Sequence, residues 1–507
     1  MTAATPSLAR RLANFRAARG PEGDGLAPAD PRAGAAAAAS RERTERLAAA
    51  LDAELIVTGV GSVLRIERPA QSIPIDRDRL QELPGQPPRA APLVCLDTET
   101  TGLATAAGTL AFLVGLGWWE GARFRQVQLL LPDHADEPAL LDLLAGLIPA
   151  DAWLVTYNGR GFDWPLLVTR YRMIRRPAPP TAGHLDLLPL VRRVFRHRLP
   201  DARLRTVEAE LLGVRRIGDV EGWEIPTRYF DVLRGAPAST LLDVVRHNDE
   251  DVRSLARLLA HVERDLGDDT ARRRADPGDL AGLARAFARD RRLDEAIDCL
   301  DLALCRIGRD AVATAAEEDE PWWSPRRRAD FGGRPARVRS PALPQRLIAP
   351  WSEERLLVER AHLLRRVGRH ADAADTWRAL ATGTGRLAAV AAIELAKACE
   401  HRLADLHGAR AAVERGWRIL DRRRRLGRPE PRLEADLVRR AVRLGRRGTP
   451  TGRPALAASS SGTPQSSSEV HHDDLSTSRD RGLRGPGARL SVDPGDRPPR
   501  DRIATVP

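Results

Sequence analysis

The sequence predicts an α/β fold, a mixed sheet flanked by helices, followed by a separate α-helical region. Three observations predict it. Short apolar runs alternate with segments of helical periodicity between residues 93 and 265. Residues 275–425 have helical periodicity without strand patterns. Both ends of the chain are rich in small, polar and charged residues and lack either period.

The α/β segment opens with the apolar run 93–96, which is typical of a buried strand. Antiparallel pairing is expected next, because two further apolar or alternating runs are separated only by the turn Glu120-Gly121. Helices and strands then alternate, and a long helix closes the segment. The predicted elements are strands 109–119, 124–131 and 152–157, and helices 137–147, 163–173 and 241–262.

The remaining segments differ in composition. Residues 1–40 predict a disordered N-terminal arm, and residues 446–507, rich in Ser, Gly, Pro and Arg, predict a disordered tail. Residues 41–92 are interpreted as an N-terminal extension that ends in a Pro-rich linker. Within that extension, a helix over 41–55 and one or two strands over 56–67 are expected.

The helical region has the features of a repeat. Ala296, Ala373 and Ala409 occupy matching positions in helical hairpins, and the step from Ala373 to Ala409 is 36 residues, close to the tetratricopeptide period. A charged insert at 311–350 interrupts the series. The alternative is an ordinary helical bundle.

Composition restricts the functional class. The net charge of +12 favours a polyanionic partner, although only Lys397 among the 81 basic residues is a lysine, which points to a GC-rich genome as one source of arginine. Four cysteines without paired spacing predict neither a disulfide framework nor a zinc site. No apolar stretch is long enough for a membrane span, so a cytoplasmic protein without a membrane partner is expected.

Asp97 and Glu99 directly follow the first strand. Residues i and i+2 of a strand point to the same face, so both carboxylates leave the strand end together. Converging carboxylates favour a hard divalent cation, Mg²⁺ or Mn²⁺. The alternative is a cap or turn built from Asp, Thr and Gly.

Three further segments carry candidate groups. Asp163 opens a helix after the segment Asn158–Phe162, where it could also be a simple N-cap. His247 and Asp251 lie one helical turn apart and share a face, as a general base and a metal ligand or as a surface ion pair. Asp186 is expected to play a supporting role.

Together these motifs resemble the DEDD superfamily of 3′–5′ exonucleases, which have a ribonuclease-H-like fold, and more closely the bacterial YprB-type ribonuclease-H-like proteins. The similarity also includes the segment Gly108–Gly115, the segment Asp219–Pro226 with Tyr229, and His247-Asn248 before Asp251-Val252. It covers about residues 55–425 and is strongest over 93–262. Members of that family tend to carry helical repeats after the nuclease domain.

The resemblance implies a two-metal site with two Mg²⁺ or Mn²⁺ ions, one polarising the attacking water and the other stabilising the leaving 3′ oxygen. His247 would take the proton of the water. This chain departs from the superfamily in one respect, because His247 has the spacing to Asp251 that the superfamily uses for Tyr. The implied metal ligands are Asp97, Glu99, Asp163 and Asp251, and the implied substrate-binding residues are Thr100, Leu103, Asn158 and Phe162.

Three functional hypotheses follow. The first is a metal-dependent 3′–5′ exonuclease on single-stranded DNA or RNA ends. The second is a catalytically weak, nucleic-acid-binding scaffold whose repeats recruit a partner protein. The third is an endonuclease on the same fold, which the sequence does not separate from the first.

Overall fold

The computed structural model of the protein describes residues 31–102, 108–318 and 352–447. Several sequence predictions lie outside these residues: the first 30 residues of the N-terminal arm, Leu103, residues 319–350 of the insert, and the tail beyond residue 447.

Seven strands in the described residues form one mixed sheet, which confirms the predicted fold class. The order across the sheet is β1-β2-β5-β4-β3-β6-β7. Strands β3, β6 and β7 are parallel, and the other neighbouring pairs are antiparallel. The strands are β1 (Glu54–Thr58), β2 (Gly61–Ser72), β3 (Leu93–Thr100), β4 (Ala111–Glu120), β5 (Arg123–Leu130), β6 (Trp153–Thr156) and β7 (Gly183–Asp186).

Helices surround this sheet and continue beyond it. Two of them, α3 and α4, have the predicted bounds at both ends. In and around the sheet the helices are α1 (Pro31–Leu51), α2 (Arg77–Gln81), α3 (Glu137–Leu147), α4 (Asp163–Met173), α5 (Leu187–Val194), α6 (Leu204–Val207), α7 (Ile225–Leu233) and α8 (Leu242–Leu266). A π-helical turn, Glu208–Leu212, directly follows α6, and a short 3₁₀ turn precedes α8.

The N-terminal extension contributes to the sheet, which differs from its interpretation as a segment outside the α/β domain. Strand β2 pairs with β5 along most of its length, and β1 pairs with β2. Val63, Leu64 and Ile66 are fully buried by this pairing. Helix α1 begins at Pro31, ten residues before the predicted start, within the segment expected to be disordered. Burial of Leu47 and Leu51 beside β2 explains why its C-terminal part is anchored.

The side chains of β3 alternate between two cores. Leu93 and Cys95 pack in the core that includes Val252 and Leu255 of α8. Val94 and Leu96 face the opposite core, together with residues of α3 and α4. Asp97 and Glu99 continue the first of these rows, so the period of the strand directs both carboxylates to the face that α8 covers.

Two glycines of β4 allow α8 to lie close to the sheet. A Cβ atom on Gly115 would lie 2.3 Å from Oδ1 of Asn248 and 2.7 Å from Cγ2 of Val252. On Gly117 it would lie 3.0 Å from Cγ1 of Val252. Since Gly115 is the direct neighbour of Asp97 in the β3–β4 ladder, this close approach brings α8 onto the acidic end of β3.

The region after α8 is helical, as predicted. After the short helix α9 (Asp269–Arg272), its helices are α10 (Pro277–Arg289), α11 (Leu293–Glu318), α12 (Glu353–Arg366), α13 (His370–Leu380), α14 (Arg386–His401), α15 (Leu406–Arg425) and α16 (Pro431–Arg447). Consecutive helices from α10 to α16 contact one another. The three matched alanines, Ala296, Ala373 and Ala409, are all buried. Leu280 and Leu283 of α10 share a core with Leu187 and Val194 of α5, so this region packs directly on the sheet domain.

Helix boundaries differ from the predictions in two places. Helix α11 extends to Glu318, so residues 311–318 of the predicted insert continue a helix. Helix α16 lies beyond the predicted end of the helical region at residue 425 and includes the first two residues of the predicted tail. Among the described helices, none combines the length and the apolar composition that a bilayer crossing requires.

Candidate metal centre

The candidate residues gather where the parallel strands β3, β6 and β7 end. Asp97 and Glu99 lie among the last four residues of β3. The loop after β6 leads into Asp163, the first residue of α4. Asp186 ends β7 and accepts hydrogen bonds from the backbone N–H groups of Asn158 and Arg160, at 2.8 and 3.3 Å. It therefore holds the loop that delivers Asp163, which is the supporting role expected for it.

Two amide side chains, joined by hydrogen bonds, hold Asp97 in place from strand β5 and helix α8. The Nδ2 atom of Asn248 donates to Oδ2 of Asp97 at 2.9 Å. The Nε2 atom of Gln128 donates to Oδ1 of Asn248, also at 2.9 Å. In the ladder, Gly115 lies between Asp97 on β3 and Gln128 on β5, and Asn248 occupies the space above it.

Glu99, His247 and Asp251 form the closest cluster of the site. Their ligand atoms all lie within 4.8 Å of one another. Nε2 of His247 lies 3.6 Å from Oδ2 of Asp251 and 3.9 Å from Oε1 of Glu99. The His247 and Asp251 side chains are less than one-fifth exposed, so a surface ion pair does not describe them.

Asp163 lies at the other side of the acidic group. Its Oδ1 atom accepts a hydrogen bond of 2.5 Å from the hydroxyl of Thr98. It is the first residue of α4, and the N-cap position before it is occupied by Phe162, so Asp163 is not the N-cap residue itself. Asp97 and Asp163 are not part of the cluster within 4.8 Å. The charge of Asp163 nevertheless raises the pKa of both Asp97 and Glu99, and the charges of Glu99 and Asp251 raise that of Asp97.

The predicted substrate-binding residues have varied surroundings. The Thr100 side chain is buried, and its hydroxyl donates to the carbonyl of Gly102 at 2.7 Å. Asn158 has a positive φ of 69°, which suits its sharp turn after β6. Phe162 directly precedes α4. Leu103 lies outside the described residues.

Sequence reasoning assigned no role in the site to three charged residues that surround this cluster, although one of them, Asp219, begins a segment that carries the family resemblance. Arg216 contacts the carboxylates of Asp251 and Glu208, and its Nη1 atom lies 3.3 Å from Oδ2 of Asp219. Asp219 in turn lies 2.8 Å from Nδ1 of His247. Arg216 and Asp219 come from the segment between Gly213 and α7, whose polar, Gly-containing composition resembles a solvated turn. No periodic signal distinguishes it.

The electrostatics of the site show an excess of buried negative charge. Burial raises the pKa of Asp97 well above its ordinary value, and the carboxylates of Asp251, Asp163 and Glu99 raise it further. Burial also raises the pKa of Glu99 well above its ordinary value, and the carboxylates of Asp251, Asp163 and Asp219 raise it further, against the opposing charge of Arg216. Burial also raises the pKa of Asp163 to about 6, although the hydrogen bond from Thr98 opposes the shift.

Asp219 shows the opposite behaviour. Burial alone would raise its pKa, but the hydrogen bond with His247 and the charges of His247 and Arg216 together lower it. Asp219 is therefore held in its ionised form. Asp97 and Glu99 have too little positive charge around them to offset the repulsion from the neighbouring carboxylates. A divalent cation at Glu99 and Asp251 would relieve that repulsion.

The donor set fits a hard divalent ion. Carboxylate oxygens predominate, and one imidazole nitrogen is close by. Ligand atoms around one Mg²⁺ lie about 3 Å apart when adjacent and about 4 Å apart when opposite. The three ligand atoms within 4.8 Å of one another would therefore need only a small closure to bind one ion.

Comparisons with known proteins agree with this geometry. A sequence profile of the RNase_H superfamily (RNase_H_2) matches residues 94–263. The chain is also similar to the protein named Uncharacterized protein YprB of Bacillus subtilis (strain 168), with 36% identity over 211 residues, which are 41% of this chain and 51% of that protein. The chain thus spans about half the length of this curated relative. From the seven-stranded mixed sheet and the matched profile, we conclude that this part of the chain is a domain with a ribonuclease-H-like fold.

Proposed function

We propose that this protein is a metal-dependent 3′–5′ exonuclease that hydrolyses phosphodiester bonds at single-stranded nucleic acid ends. The observation that carries the proposal is the largely buried acidic group of Asp97, Glu99, Asp163 and Asp251, with His247 beside it, near the ends of the parallel strands. A nuclease-like activity is what the RNase_H superfamily domain suggests. The DEDD type and the direction of digestion are our proposal.

Each residue of the site has a defined role in the proposed hydrolysis. The four carboxylates would hold two Mg²⁺ or Mn²⁺ ions, which supply Lewis acidity at the phosphate and at the attacking water. Nε2 of His247 faces the carboxylates Glu99 and Asp251, where it would accept the proton of that water. Thr98 and Asn248 keep one oxygen each of Asp163 and Asp97 engaged, which orients the other oxygen of each carboxylate.

We expect the residues next to this acidic group to contact the substrate. We assign Thr100, Leu103, Asn158 and Phe162 to the pocket for the terminal nucleotide, because they belong to the two segments of the chain that carry Asp97, Glu99 and Asp163. Arginines elsewhere on the domain would supply sequence-independent contacts to the phosphate backbone. The helical region is proposed to be tetratricopeptide-like and to bind a partner protein, since its matched alanines are buried between helices.

The test is cleavage of 5′-labelled single-stranded oligonucleotides, DNA and RNA in parallel, with Mn²⁺ or with EDTA. Asp97→Ala should abolish cleavage and leave the fold intact, because Asp97 lies beside the cluster and its removal relieves repulsion rather than breaking a core contact. Asp243→Asn is the matched control, since Asp243 is an exposed acidic residue of the same helix as Asp251.

Two further substrates separate the hypotheses. A circular single strand resists an exonuclease and is cut by an endonuclease, and an oligonucleotide blocked at its 3′ end resists only 3′–5′ digestion. A metal-dependent ladder that requires a free 3′ end and is lost in Asp97→Ala supports the proposal. Full activity in Asp97→Ala contradicts the site, and binding without cleavage under any metal supports the scaffold hypothesis instead.

A further inference from the structure

The segment 213–224, between the π-helical turn and α7, brings charged side chains into the site from outside the sheet. We name it the 213–224 loop. The Arg216 and Asp219 side chains are 7% and 9% exposed, whereas Ile217 between them is 94% exposed. The loop also buries Val220 in the apolar core, so both the charged site and one apolar contact hold it in place while its isoleucine stays in solvent.

Asp219 determines which nitrogen of His247 carries a proton. Nδ1 of His247 lies 2.8 Å from Oδ1 of Asp219. An ionised carboxylate only accepts hydrogen bonds, so Nδ1 must be the protonated nitrogen at this distance. Nη1 of Arg216 is 3.4 Å from the same Nδ1, a longer separation that leaves the carboxylate as its partner. In neutral His247 the free lone pair is therefore on Nε2, the atom that faces Glu99 and Asp251.

Arg216 connects the same loop to Asp251. Its Nη2 atom contacts Oδ1 of Asp251 and Oε1 of Glu208, and its Nη1 atom contacts Asp219. The Glu208 side chain is fully buried, so it anchors the guanidinium from behind. With Oδ1 of Asp251 engaged, Oδ2 is the oxygen directed at His247, 3.6 Å from Nε2.

We propose that Asp219 and Arg216 are positioning residues of the nuclease site, Asp219 by fixing the Nδ1–H tautomer of His247 and Arg216 by directing one oxygen of Asp251. This inference rests on the proposed function. Their effect is exerted through His247 and Asp251, since neither residue needs to touch the substrate. The competing interpretation is an ion-pair cluster that only holds the loop in place.

The first test is Asp219→Asn in the full-length protein. An amide can donate to Nδ1 as well as accept from it, so the Nε2–H tautomer becomes populated. The tautomer is read from the ¹⁵N chemical shifts of labelled histidine in metal-free protein, with His247 assigned by its loss in His247→Gln. At saturating Mn²⁺, kcat should fall about 10- to 100-fold.

Matched controls come from the same loop. Glu221 forms an exposed ion pair with Arg205 at 3.2 Å. Glu221→Gln also removes one negative charge from the loop, but it should leave both the tautomer of His247 and kcat unchanged. Thermal unfolding of each variant checks that the fold is retained.

The second variant tests Arg216. Arg216→Lys keeps the positive charge but replaces a planar group of five N–H donors with a single ammonium, which cannot reach Asp251, Glu208 and Asp219 together. We expect about a 10-fold loss of kcat with the His247 tautomer retained, because Asp219 is still present. Full activity in Arg216→Lys would overturn the role of Arg216.

The outcomes separate the two levels of the proposal. If the wild-type protein cleaves and Asp219→Asn shifts the tautomer and lowers kcat, the inference is supported. If the wild-type protein cleaves and Asp219→Asn leaves either quantity unchanged, the inference fails and the nuclease assignment stands. If the wild-type protein does not cleave with any metal, the proposed function fails, and the catalytic role of both residues fails with it.

Discussion

Replacement of Gly115 by alanine should damage the site without touching a charged residue. The new Cβ would lie 2.3 Å from Oδ1 of Asn248 and 2.7 Å from Cγ2 of Val252, whereas ordinary contacts begin at 3.4 Å. Asn248 cannot simply turn away, because Gln128 and Asp97 hold both ends of its amide. Val252 is buried and stiff at its branched Cβ. To restore ordinary contacts, helix α8 must therefore retreat from β4 by about 0.7 Å at Val252 and by about 1.1 Å at Asn248.

Two measurable losses follow. Forcing an extra methyl group into a packed interface typically costs about 1–3 kcal/mol, so the free energy of unfolding in urea should fall by that amount. Helix α8 also carries His247 and Asp251, and a shift of about 1 Å at a catalytic group costs on the order of 10²-fold in rate. We expect cleavage of the labelled oligonucleotide with Mn²⁺ to fall correspondingly.

Gly146→Ala is the matched control. A Cβ there meets no atom within 4 Å, and Gly146 lies in helix α3, away from the site. Because alanine favours helix over glycine by up to about 1 kcal/mol, this variant should keep its activity and lose no stability. Wild-type stability and activity in Gly115→Ala would refute the argument that close contact between α8 and β4 positions the site.

Three other predictions follow from buried charges. At 100 times its Kd, Mn²⁺ should stabilise the wild-type protein by about 2.7 kcal/mol, measured as a rise in Tm, and Asp251→Asn should lose most of that rise. Burial, opposed by Arg198, raises the pKa of Asp279 from 3.8 to about 7, so the folded protein favours the protonated carboxyl. The contribution of Asp279 to the free energy of unfolding is therefore full below pH 3.8 and is lost as the pH rises through 7. Asp279→Asn should therefore gain about 2–3 kcal/mol relative to the wild type between pH 5 and pH 8, measured by urea unfolding; a constant difference would contradict the shift. Arg440→Met removes a cation 2.9 Å from the fully buried carboxylate of Glu400. It should cost about 3 kcal/mol and accelerate hydrogen exchange in helix α16, whereas unchanged exchange would show that this ion pair does not anchor the helix.

Local patterns predicted the parts of the site that depend on local geometry. Asp97 and Glu99 share a face because a strand has a period of two, and His247 and Asp251 share one because they are a helical turn apart. The bounds of α3 and α4 followed from clear apolar periodicity. The roles assigned to these residues and the domain limits stay predictions.

The parts that sequence reasoning missed depend on contacts between distant segments. Strand β2 pairs with β5, which lies more than 50 residues further along the chain, and a single sequence carries no signal of that pairing. Asp249 of α8 is buried, and its backbone carbonyl accepts a hydrogen bond from the side chain of Gln126 on β5, more than 100 residues away in the chain. The roles of Arg216 and Asp219 likewise depend on the fold of the 213–224 loop back onto α8, which places them beside Asp251 and His247.

The pairing of β2 with β5 determines where the domain can be cut. A fragment that begins at Leu93 would lack β1 and β2 and would expose the whole edge of β5, from Arg123 to Leu130. Six of those eight residues are buried in the intact protein. An unprotected edge strand of this kind recruits other chains and promotes aggregation. The shortest fragment suitable for expression therefore begins upstream of Glu54, so that the sheet retains its own edge.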